Sequence, residues 1–426
     1  MNIWIKNARI LTMDDDRLIV ENSNLYVKGN EIYHIGDIIE DFECERVLDG
    51  KGKLIMPGFI NAHTHIAMSI FRNYGNDVSL DTWLNDYIWP LEAKLTAEDV
   101  RIGSELSMAE MIESGTTCFV DMYYFMDEVA KAARDTGMRA VLTRGMTNPT
   151  KDILDNEIRF FKEWHGSSND RIEVMVGSHA VYTNDKEALE NERDLAKELG
   201  VGINIHLNET SKEVEDCLSQ NGLRPIEYVD SLGLLNEKTI GAHCIWLDHK
   251  ERAIAKDRGI SMVHNPSSNM KLASGFMKAQ ELLDEGINVC LGTDGQSSNN
   301  VLDMFDEMRV ASLIAKGSNL DPENLRALTV LKMATVNGAK AIGKEGRLGK
   351  VKEGYLADII MVDFDNLRHV PNNDIAASLV YSTNGFDVDT TIVDGNILYE
   401  NKKHLTVNPD QLKNKINGIF ERLIGE

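Results

Sequence analysis

From residue 54 onward, short apolar runs alternate with longer helical patterns, and this alternation limits the possible folds more than any other feature of the chain. The runs that we interpret as strands are KLIMPGFINAH, TTCFVDM, RAVLTRG, RIEVMVGSHA, VGINIHLNE, TIGAHCIW, ISMVHNP and NVCLGTDG. Continuous aliphatic and β-branched runs are typical of parallel strands that are buried on both faces. The helical patterns between them often stop at glycine, which suits a left-handed helix C-cap. Eight alternations over about 290 residues predict a (β/α)8 barrel of the TIM type.

An open, doubly wound α/β sheet is the structural alternative to a barrel. Such a sheet commonly binds a nucleotide through a GxGxxG motif that opens a helix after a strand. The chain has no GxGxxG motif in that position. We therefore predict an α/β fold with a barrel over residues 57–345.

The two ends of the chain differ from this middle part. Residues 1–56 and 346–426 contain hairpin-like segments such as NSNLYVKGNEIYHIG and TTIVDGNILYENKK, in which Asp394-Gly395 forms a favourable two-residue turn. Neither end is long enough to bury a sheet by itself. We predict that they pack together as one small, discontinuous β-sandwich-like domain, with the barrel inserted between its halves.

Charge and cysteine content restrict the partners and the compartment. The formal net charge is −23, whereas nucleic acids and anionic membranes require basic patches, so we expect neither partner. The apolar runs are too short to span a membrane, and the N-terminus has no signal-peptide pattern. The five cysteines are odd in number and form no CxxC motif, which favours a reducing cytoplasm.

Polar residues cluster at the C-terminal ends of the predicted strands, where barrel enzymes carry their chemistry. Six of the eleven histidines are among them. The residues at these positions are His63, His65, Asp121, Arg144, His179, His206, Glu209, His243, His264 and Asp294. This concentration predicts one shared site.

Four of these residues form a donor set for a metal ion. His63 and His65 lie two residues apart and so point to one face of a strand. With His206 and Asp294 they supply three nitrogens and one oxygen, a set that suits one divalent ion, Zn²⁺ or alternatively Fe²⁺. Taken singly, each histidine also fits an ordinary polar residue at a strand end, and Asp294 also fits a turn or N-cap residue. Barrel sites with two metal ions commonly bridge them with a carboxylated lysine on the fourth strand. The fourth predicted strand here, RIEVMVGSHA, has no lysine, so we expect a single ion.

The segments PGFINAHTH, HLNE, AHC, HNPSSNMKLASG and LGTDGQSSNN together resemble the amidohydrolase superfamily of metal-dependent barrel hydrolases. Within it, the chain is similar to the branch of chlorotriazine hydrolases and methylthioadenosine/S-adenosylhomocysteine deaminases. The resemblance implies that the four residues named above are the metal ligands and that Asp294 also acts as a base. It implies that Glu209 transfers protons and that His243 contacts the reacting water or the substrate.

Further matches concern the substrate. In DTWLNDYIWPLEAKLTAEDV the resemblance implies that Trp83 lies near a nucleoside and that Glu92 binds the ribose diol. It also implies substrate contacts for Arg144, His179, Glu209 and Asp294. Alternatively, Glu92 is a solvated helix residue and Trp83 a core residue. A second arginine, expected about a dozen residues after Arg144 in some members, is not evident.

These matches predict an enzyme that hydrolytically deaminates adenine nucleosides: methylthioadenosine, S-adenosylhomocysteine, 5′-deoxyadenosine or adenosine. The nearest alternatives keep the same site but act on a free heterocycle (guanine, cytosine or a triazine) or dechlorinate a chlorotriazine. A non-catalytic barrel used for binding or assembly is a further alternative, but it would not need all four ligands and Glu209. The expected partner is a small nucleoside, and the sequence is compatible with either a monomer or a homo-oligomer.

Overall fold

The structure, a computed structural model, describes residues 1–425. Within this range the strands are β1 (Ile3–Leu11), β2 (Ile19–Lys28), β3 (Glu31–Gly36), β4 (Arg46–Asp49), β5 (Lys53–Pro57), β6 (Phe59–Thr64), β7 (Thr116–Tyr123), β8 (Arg139–Arg144), β9 (Ile172–Val174), β10 (Val176–Ala180), β11 (Ile203–Leu207), β12 (Ile240–His243), β13 (Ser261–His264), β14 (Asn288–Leu291), β15 (Ile359–Asp363), β16 (Val388–Val393), β17 (Asn396–Glu400) and β18 (Lys403–His404).

The α-helices are α1 (Leu80–Thr82), α2 (Trp89–Glu92), α3 (Ala97–Glu113), α4 (Met126–Thr136), α5 (Lys151–Trp164), α6 (Ser167–Asp170), α7 (Lys186–Leu199), α8 (Ser211–Asn221), α9 (Pro225–Ser231), α10 (His249–Arg258), α11 (Pro266–Lys271), α12 (Ala279–Asp284), α13 (Met304–Asn319), α14 (Ala327–Met333), α15 (Val336–Ala341), α16 (Ile375–Tyr381) and α17 (Pro409–Ile424). A π-helical turn, Trp83–Ile88, joins α1 to α2. Short 3₁₀ turns lie at Ile66–Phe71, Val181–Thr183, Leu367–His369 and Gly385–Asp387. The mixed α/β class predicted from the sequence is confirmed.

Nine strands from both ends of the chain form one sheet. Its order is β18-β17-β16-β15-β5-β1-β2-β3, with β4 paired to β1. The link between the two ends is the antiparallel pair of β5 and β15, in which Pro57 lies opposite Ile359. An apolar core of alternating residues from β1, β2, β5 and β15 packs on this sheet.

The middle of the chain forms two parallel sheets, β6-β7-β8-β9 and β10-β11-β12-β13-β14. They share one apolar core, to which both sheets contribute alternate residues, for example Val120 from β7 and Val263 from β13. At one junction of the sheets, Met146 just after β8 pairs with Ser178 of β10. At the other junction, the Asp294 amide after β14 donates to the His63 carbonyl of β6 at 2.9 Å. Functional residues from both sheets therefore meet.

Two predicted strands are each divided in the structure. KLIMPGFINAH separates into β5 and β6 at Gly58, where a Cβ atom would lie 2.1 Å from the Thr117 side chain. RIEVMVGSHA separates into β9 and β10 at Met175, whose amide donates to the Leu142 carbonyl of β8. The next amide, that of Val176, donates instead to Gly202, and the chain thereby changes partner strands. A change of partner strand leaves no mark on local hydropathy.

A buried ion pair joins β8 to the nine-stranded sheet. Arg139 donates through Nε to Asp358 at 2.8 Å and through Nη2 to Asp394 at 3.2 Å, and all three side chains are at most 4% exposed. Removing one partner of such a buried group leaves an uncompensated charge, which is strongly destabilising. The middle of the chain and the end sheet are therefore coupled in stability.

None of the helices between residues 1 and 425 combines the length and apolar character that crossing a bilayer requires. The five cysteines are free thiols. The cytoplasmic location stays a prediction.

Candidate active site

The strand ends bring three histidines to one point. His63 lies on β6, His65 directly follows that strand, and His206 lies on β11 of the other parallel sheet. One nitrogen of each ring lies within 4.8 Å of the others. His63 and His65, at the end of β6, therefore meet the third predicted ligand, His206, across the junction of the two parallel sheets.

Hydrogen bonds fix which nitrogen of each ring faces this point. His65 Nδ1 lies 2.5 Å from the Met122 carbonyl oxygen, and His206 Nδ1 lies 2.6 Å from the His179 carbonyl oxygen. A carbonyl only accepts, so each Nδ1 carries a proton and each Nε2 faces the shared point. The two Nε2 atoms lie 3.3 Å apart. Such outward anchoring of the ring is typical of metal-ligating histidines.

His63 provides a further test of metal binding. Its side chain is fully buried, and neither ring nitrogen has a hydrogen-bond partner within residues 1–425. Burial first, and then the neighbouring imidazoles, hold the pKa of His63 well below its usual range, so the ring is neutral. A buried polar atom without a partner is costly, and a divalent cation would supply that partner. The donor set therefore fits a divalent ion.

Asp294 completes the donor set from the loop after β14. Its Oδ1 lies 3.6 Å from His63 Nε2 and 3.3 Å from His65 Nε2. Its Oδ2 accepts hydrogen bonds from the Ser268 and Ser298 hydroxyls at 2.6 and 2.9 Å. Burial by itself would raise the pKa of this carboxyl, but nearby imidazoles, His65 first, and these hydrogen bonds hold it below its ordinary value. Asp294 is therefore a carboxylate with one oxygen directed at the histidines.

Glu209 and His243 lie beside this donor set. His243 Nε2 is 3.9 Å from Glu209 Oε2, and its Nδ1 lies 2.8 Å from Asn269 Oδ1. Ser274 donates to Glu209 Oε1 at 3.2 Å, and the Glu209 amide donates to Glu213 Oε2 at 2.7 Å. Burial raises the pKa of Glu209 although His243 opposes the shift. A carboxyl with a raised pKa can hold a proton and donate it, as a general acid requires.

Two residues of the site, and Asn208 directly before Glu209, have backbone angles that only glycine adopts freely. Asn208, His243 and Asp294 have φ values of 52°, 68° and 62°. Conformations of this kind are costly and concentrate at functional sites. Each follows or ends a strand, so the strained angle turns the chain just where a functional side chain projects.

Glu92 and Trp83 lie on the segment after β6, next to the histidines. The Tyr123 hydroxyl, at the end of β7, donates to Glu92 Oε1 at 2.6 Å, and burial raises the pKa of Glu92. Trp83 is 6% exposed, and its indole nitrogen has no partner in the described chain. A cavity of about 70 Å³ separates these side chains from His65, and we call it the inner cavity.

Two larger cavities open beside the inner one. The outer cavity, about 610 Å³, is bordered by Trp89, Glu92, Tyr124, Phe125, Asn148 and His179. The side cavity, about 640 Å³, is bordered by Leu84, Tyr182, Lys212, Asp216, Trp246 and Ser274. The outer cavity shares Glu92 and His179 with the inner cavity, whereas the side cavity adjoins the serine that holds Glu209.

Residues 54–398 match the family model described as "Amidohydrolase family", which spans more than half of the chain. The chain belongs to the amidohydrolase family. The family resemblance noted from its motifs is confirmed.

Two curated relatives match over nearly the whole chain. A 5-methylthioadenosine/S-adenosylhomocysteine deaminase of Caldanaerobacter subterraneus is 45% identical, with 100% of this chain and 99% of the relative covered. A 5′-deoxyadenosine deaminase of Methanobrevibacter smithii is 44% identical, with 99% and 98% covered. Among solved structures, an adenosine deaminase from Xanthomonas campestris with bound zinc is 30% identical with a TM-score of 0.95, covering 100% of this chain and 99% of that one.

Most residues predicted for the site meet in this amidohydrolase. His63, His65, His206 and Asp294 surround one point, and Glu209 and His243 adjoin it. Trp83, Glu92 and His179 border the inner cavity. Arg144 is the exception, because its Nε donates to Glu157 of α5 at 2.9 Å. Its predicted contact with substrate stays a prediction.

The sequence reasoning missed the residues that hold these side chains in place. They are Tyr123, Ser268, Asn269, Ser274, Ser298 and Glu213. Four of the six lie within HNPSSNMKLASG and LGTDGQSSNN, which were recognised as motifs without a role for each polar residue. A run of small polar residues directly after two neighbouring parallel strands, β13 and β14, is the signal that would have identified them.

Proposed function

We propose that this amidohydrolase hydrolytically removes the 6-amino group of an adenine nucleoside, giving the inosine analogue and ammonia. The candidate substrates are 5′-methylthioadenosine, S-adenosylhomocysteine, 5′-deoxyadenosine and adenosine. The observation that carries this proposal is Glu92, a partly buried carboxylate held by Tyr123 across the inner cavity from His65. A carboxylate there can accept hydrogen bonds from two adjacent ribose hydroxyls. The substrates in the names of the two curated relatives belong to the same class.

We also propose that the two parallel sheets form one closed (β/α)8 barrel, with β9 and β10 as two halves of its fourth strand. The shared apolar core and the hydrogen bonds at both junctions of the sheets support closure. The nine-stranded sheet would then be the core of a small domain built from residues 1–56 and 346–426, next to a barrel of residues 57–345.

We propose Zn²⁺ as the divalent ion, held by the three histidines and Asp294, with Fe²⁺ as the alternative. Three imidazoles and one carboxylate suit either ion. When bound, the ion supplies Lewis acidity that makes water a nucleophile near neutral pH.

The protein's own residues then move protons around the adenine ring. His243 Nε2 orients the attacking water, and Asp294 Oδ1 accepts a proton from it as the water oxygen bonds to C6. Glu209 donates its proton to ring N1, which makes C6 more electrophilic. The proton that Asp294 received goes to the 6-amino group, which leaves as ammonia when the C6–N bond breaks. The remaining hydroxyl proton on the C6 oxygen goes to Glu209 as the C6 carbonyl forms, which restores the Glu209 carboxyl.

The remaining side chains would position the nucleoside. Trp83 would pack against it, Glu92 would hold the ribose, and His179 would border the 5′ side. Arg144 would lie at the edge of the site, one residue before Gly145 of the inner cavity. Glu209 and Asp294 would contact the base itself.

A substrate panel tests the proposal. Adenosine, 5′-methylthioadenosine, S-adenosylhomocysteine, 5′-deoxyadenosine, adenine, guanine, cytosine and a chlorotriazine are incubated with the metal-loaded protein, and ammonia release and the ultraviolet spectrum are followed. We expect kcat/KM for the best nucleoside to exceed that for every free base by at least about 100-fold, because two hydrogen bonds to a charged group are lost without the ribose. Faster turnover of a base or a triazine would overturn the proposal.

Glu92→Ala should lower kcat/KM for nucleosides by about 100-fold and change the rate on free adenine less than about threefold. The reason is that only the nucleoside has hydroxyls for this carboxylate. Glu98→Ala, an exposed glutamate in the first turn of α3, serves as the control and should leave both rates unchanged. Equal losses on nucleoside and base would contradict the ribose assignment.

A further inference from the structure

The outer cavity lies where the 5′ substituent of a bound nucleoside would extend. The base is directed to the histidines and Glu209, and the ribose to Glu92. Beyond Glu92 the inner cavity continues into the outer cavity, since both are bordered by Trp89, Glu92, Tyr124 and His179. A group on the 5′ carbon, on the side of the ribose away from the base, therefore enters the outer cavity.

The lining of the outer cavity is largely aromatic and carries one carboxylate. Trp89, Tyr124 and Phe125 are 36%, 36% and 43% exposed, a high exposure for large apolar side chains. Of the ten residues that line the cavity, Glu92 is the acidic one and none is lysine or arginine. Such a surface suits a partly apolar group and offers no lysine or arginine to an anion.

Arg144 directly precedes Gly145, which lines the inner cavity, and Glu157 is its ion-pair partner. The Nε–Oε2 distance is 2.9 Å, the Glu157 side chain is fully buried, and its other oxygen has no partner in the described residues. Releasing Arg144 would leave a buried carboxylate without a counter-charge, which is strongly unfavourable. Asp127 of α4 also lies near this guanidinium, but it is itself paired with Arg159, so Glu157 is the partner that holds Arg144. The positive charge of Arg144 is thus neutralised by the protein itself.

The side cavity offers no replacement cation. Its lysine, Lys212, is paired with Asp216 at 2.6 Å, and Asp81 and Glu213 add further acidic groups to its lining. A carboxylate on the substrate would meet net negative charge in either cavity.

We propose that Glu157, by retaining Arg144, makes the enzyme select 5′ substituents that carry no carboxylate. This inference rests on the proposed nucleoside function. Nucleosides with a 5′-methylthio, 5′-deoxy or 5′-aminoalkylthio end are accepted. The carboxylate of S-adenosylhomocysteine enters a site without an available counter-charge, and this substrate is therefore disfavoured. Like charges brought together in this way provide specificity by repulsion rather than by better contacts.

A matched pair of substrates tests this on the wild-type enzyme. S-adenosylhomocysteine and its decarboxylated analogue differ only in the carboxylate. We expect kcat/KM to be at least about tenfold higher for the decarboxylated analogue, and also for 5′-methylthioadenosine, with the difference mainly in KM. Equal or better turnover of S-adenosylhomocysteine overturns the inference. If no nucleoside is deaminated, the proposed function itself fails, which is a different result.

Glu157→Gln tests the role of this residue directly, because it keeps the size of the side chain and removes the charge that holds Arg144. The preference for the decarboxylated analogue should fall at least about fivefold, through a lower KM for S-adenosylhomocysteine, while 5′-methylthioadenosine is unaffected. The matched control is Glu192→Gln, another fully buried glutamate, which has no ion-pair partner in the described chain and should leave the preference unchanged. If folded Glu157→Gln protein keeps the wild-type preference, the proposed role of Glu157 in selectivity is wrong. If that variant does not fold, the wild-type comparison still decides the inference.

Discussion

Dialysis of the purified protein against a chelator should lower kcat/KM by at least about 10⁴-fold, and stoichiometric Zn²⁺ or Fe²⁺ should restore it. The size of the effect follows from the chemistry, since water at neutral pH is a poor nucleophile without a Lewis acid. The structure provides the donors in advance: two Nε2 atoms 3.3 Å apart and a buried His63 without a hydrogen-bond partner in the described chain. Metal content is measured by elemental analysis and activity by ammonia release.

His206→Ala extends this prediction to one ligand. It removes the nitrogen that the second parallel sheet contributes, so we expect both metal content and turnover to fall together. His249→Ala is the control, because His249 is an exposed residue at the start of α10. Full activity in protein shown to be free of metal would contradict the assignment of the centre.

Glu209→Gln should lower kcat by about 10³-fold while metal content stays at the wild-type level. The amide has nearly the same shape and can still hydrogen-bond Ser274, but it has no proton to give to ring N1. The contacts with Ser274 and Glu213 place this residue beside His243, and its carboxyl is not part of the histidine cluster that would bind the metal ion. The loss should therefore be a loss of catalysis rather than of metal.

The matched control for this variant is Glu215→Gln, an exposed glutamate on α8 that loses the same charge. It should retain wild-type kcat. A rate for Glu209→Gln within about tenfold of wild type would remove Glu209 from the proton-transfer role.

The predicted metal ligands were accessible from the sequence because they depend on two local signals. Parallel strands of this kind are continuous apolar runs, and their C-terminal ends lie on one side of the structure. His63, His206 and Asp294 each follow or end such a run, so their strand positions alone placed them together. Family motifs added the roles of Glu209 and His243.

The contacts that orient these groups were not accessible in the same way. Tyr123 at the end of β7 reaches Glu92 on helix α2, and Glu157 reaches Arg144 from a helix 13 positions later in the chain. Each contact depends on the direction of a long side chain, which hydropathy does not record. The division of RIEVMVGSHA at Met175 was missed for a related reason, because it reflects a change in hydrogen-bond partner rather than in composition.

The pairing of β5 with β15 also has a consequence for the order in which the protein is built on the ribosome. Strand β5 is synthesised early, but its partner emerges about 300 residues later, which corresponds to roughly 15–60 s at ordinary translation speeds. During that interval the edge of β5 that β15 will cover is unpaired, and such edges promote association between chains. The parallel strands of the middle region are complete by β14 and are free to fold first. The nascent protein can therefore assemble its histidine cluster before β5 has found its second neighbour.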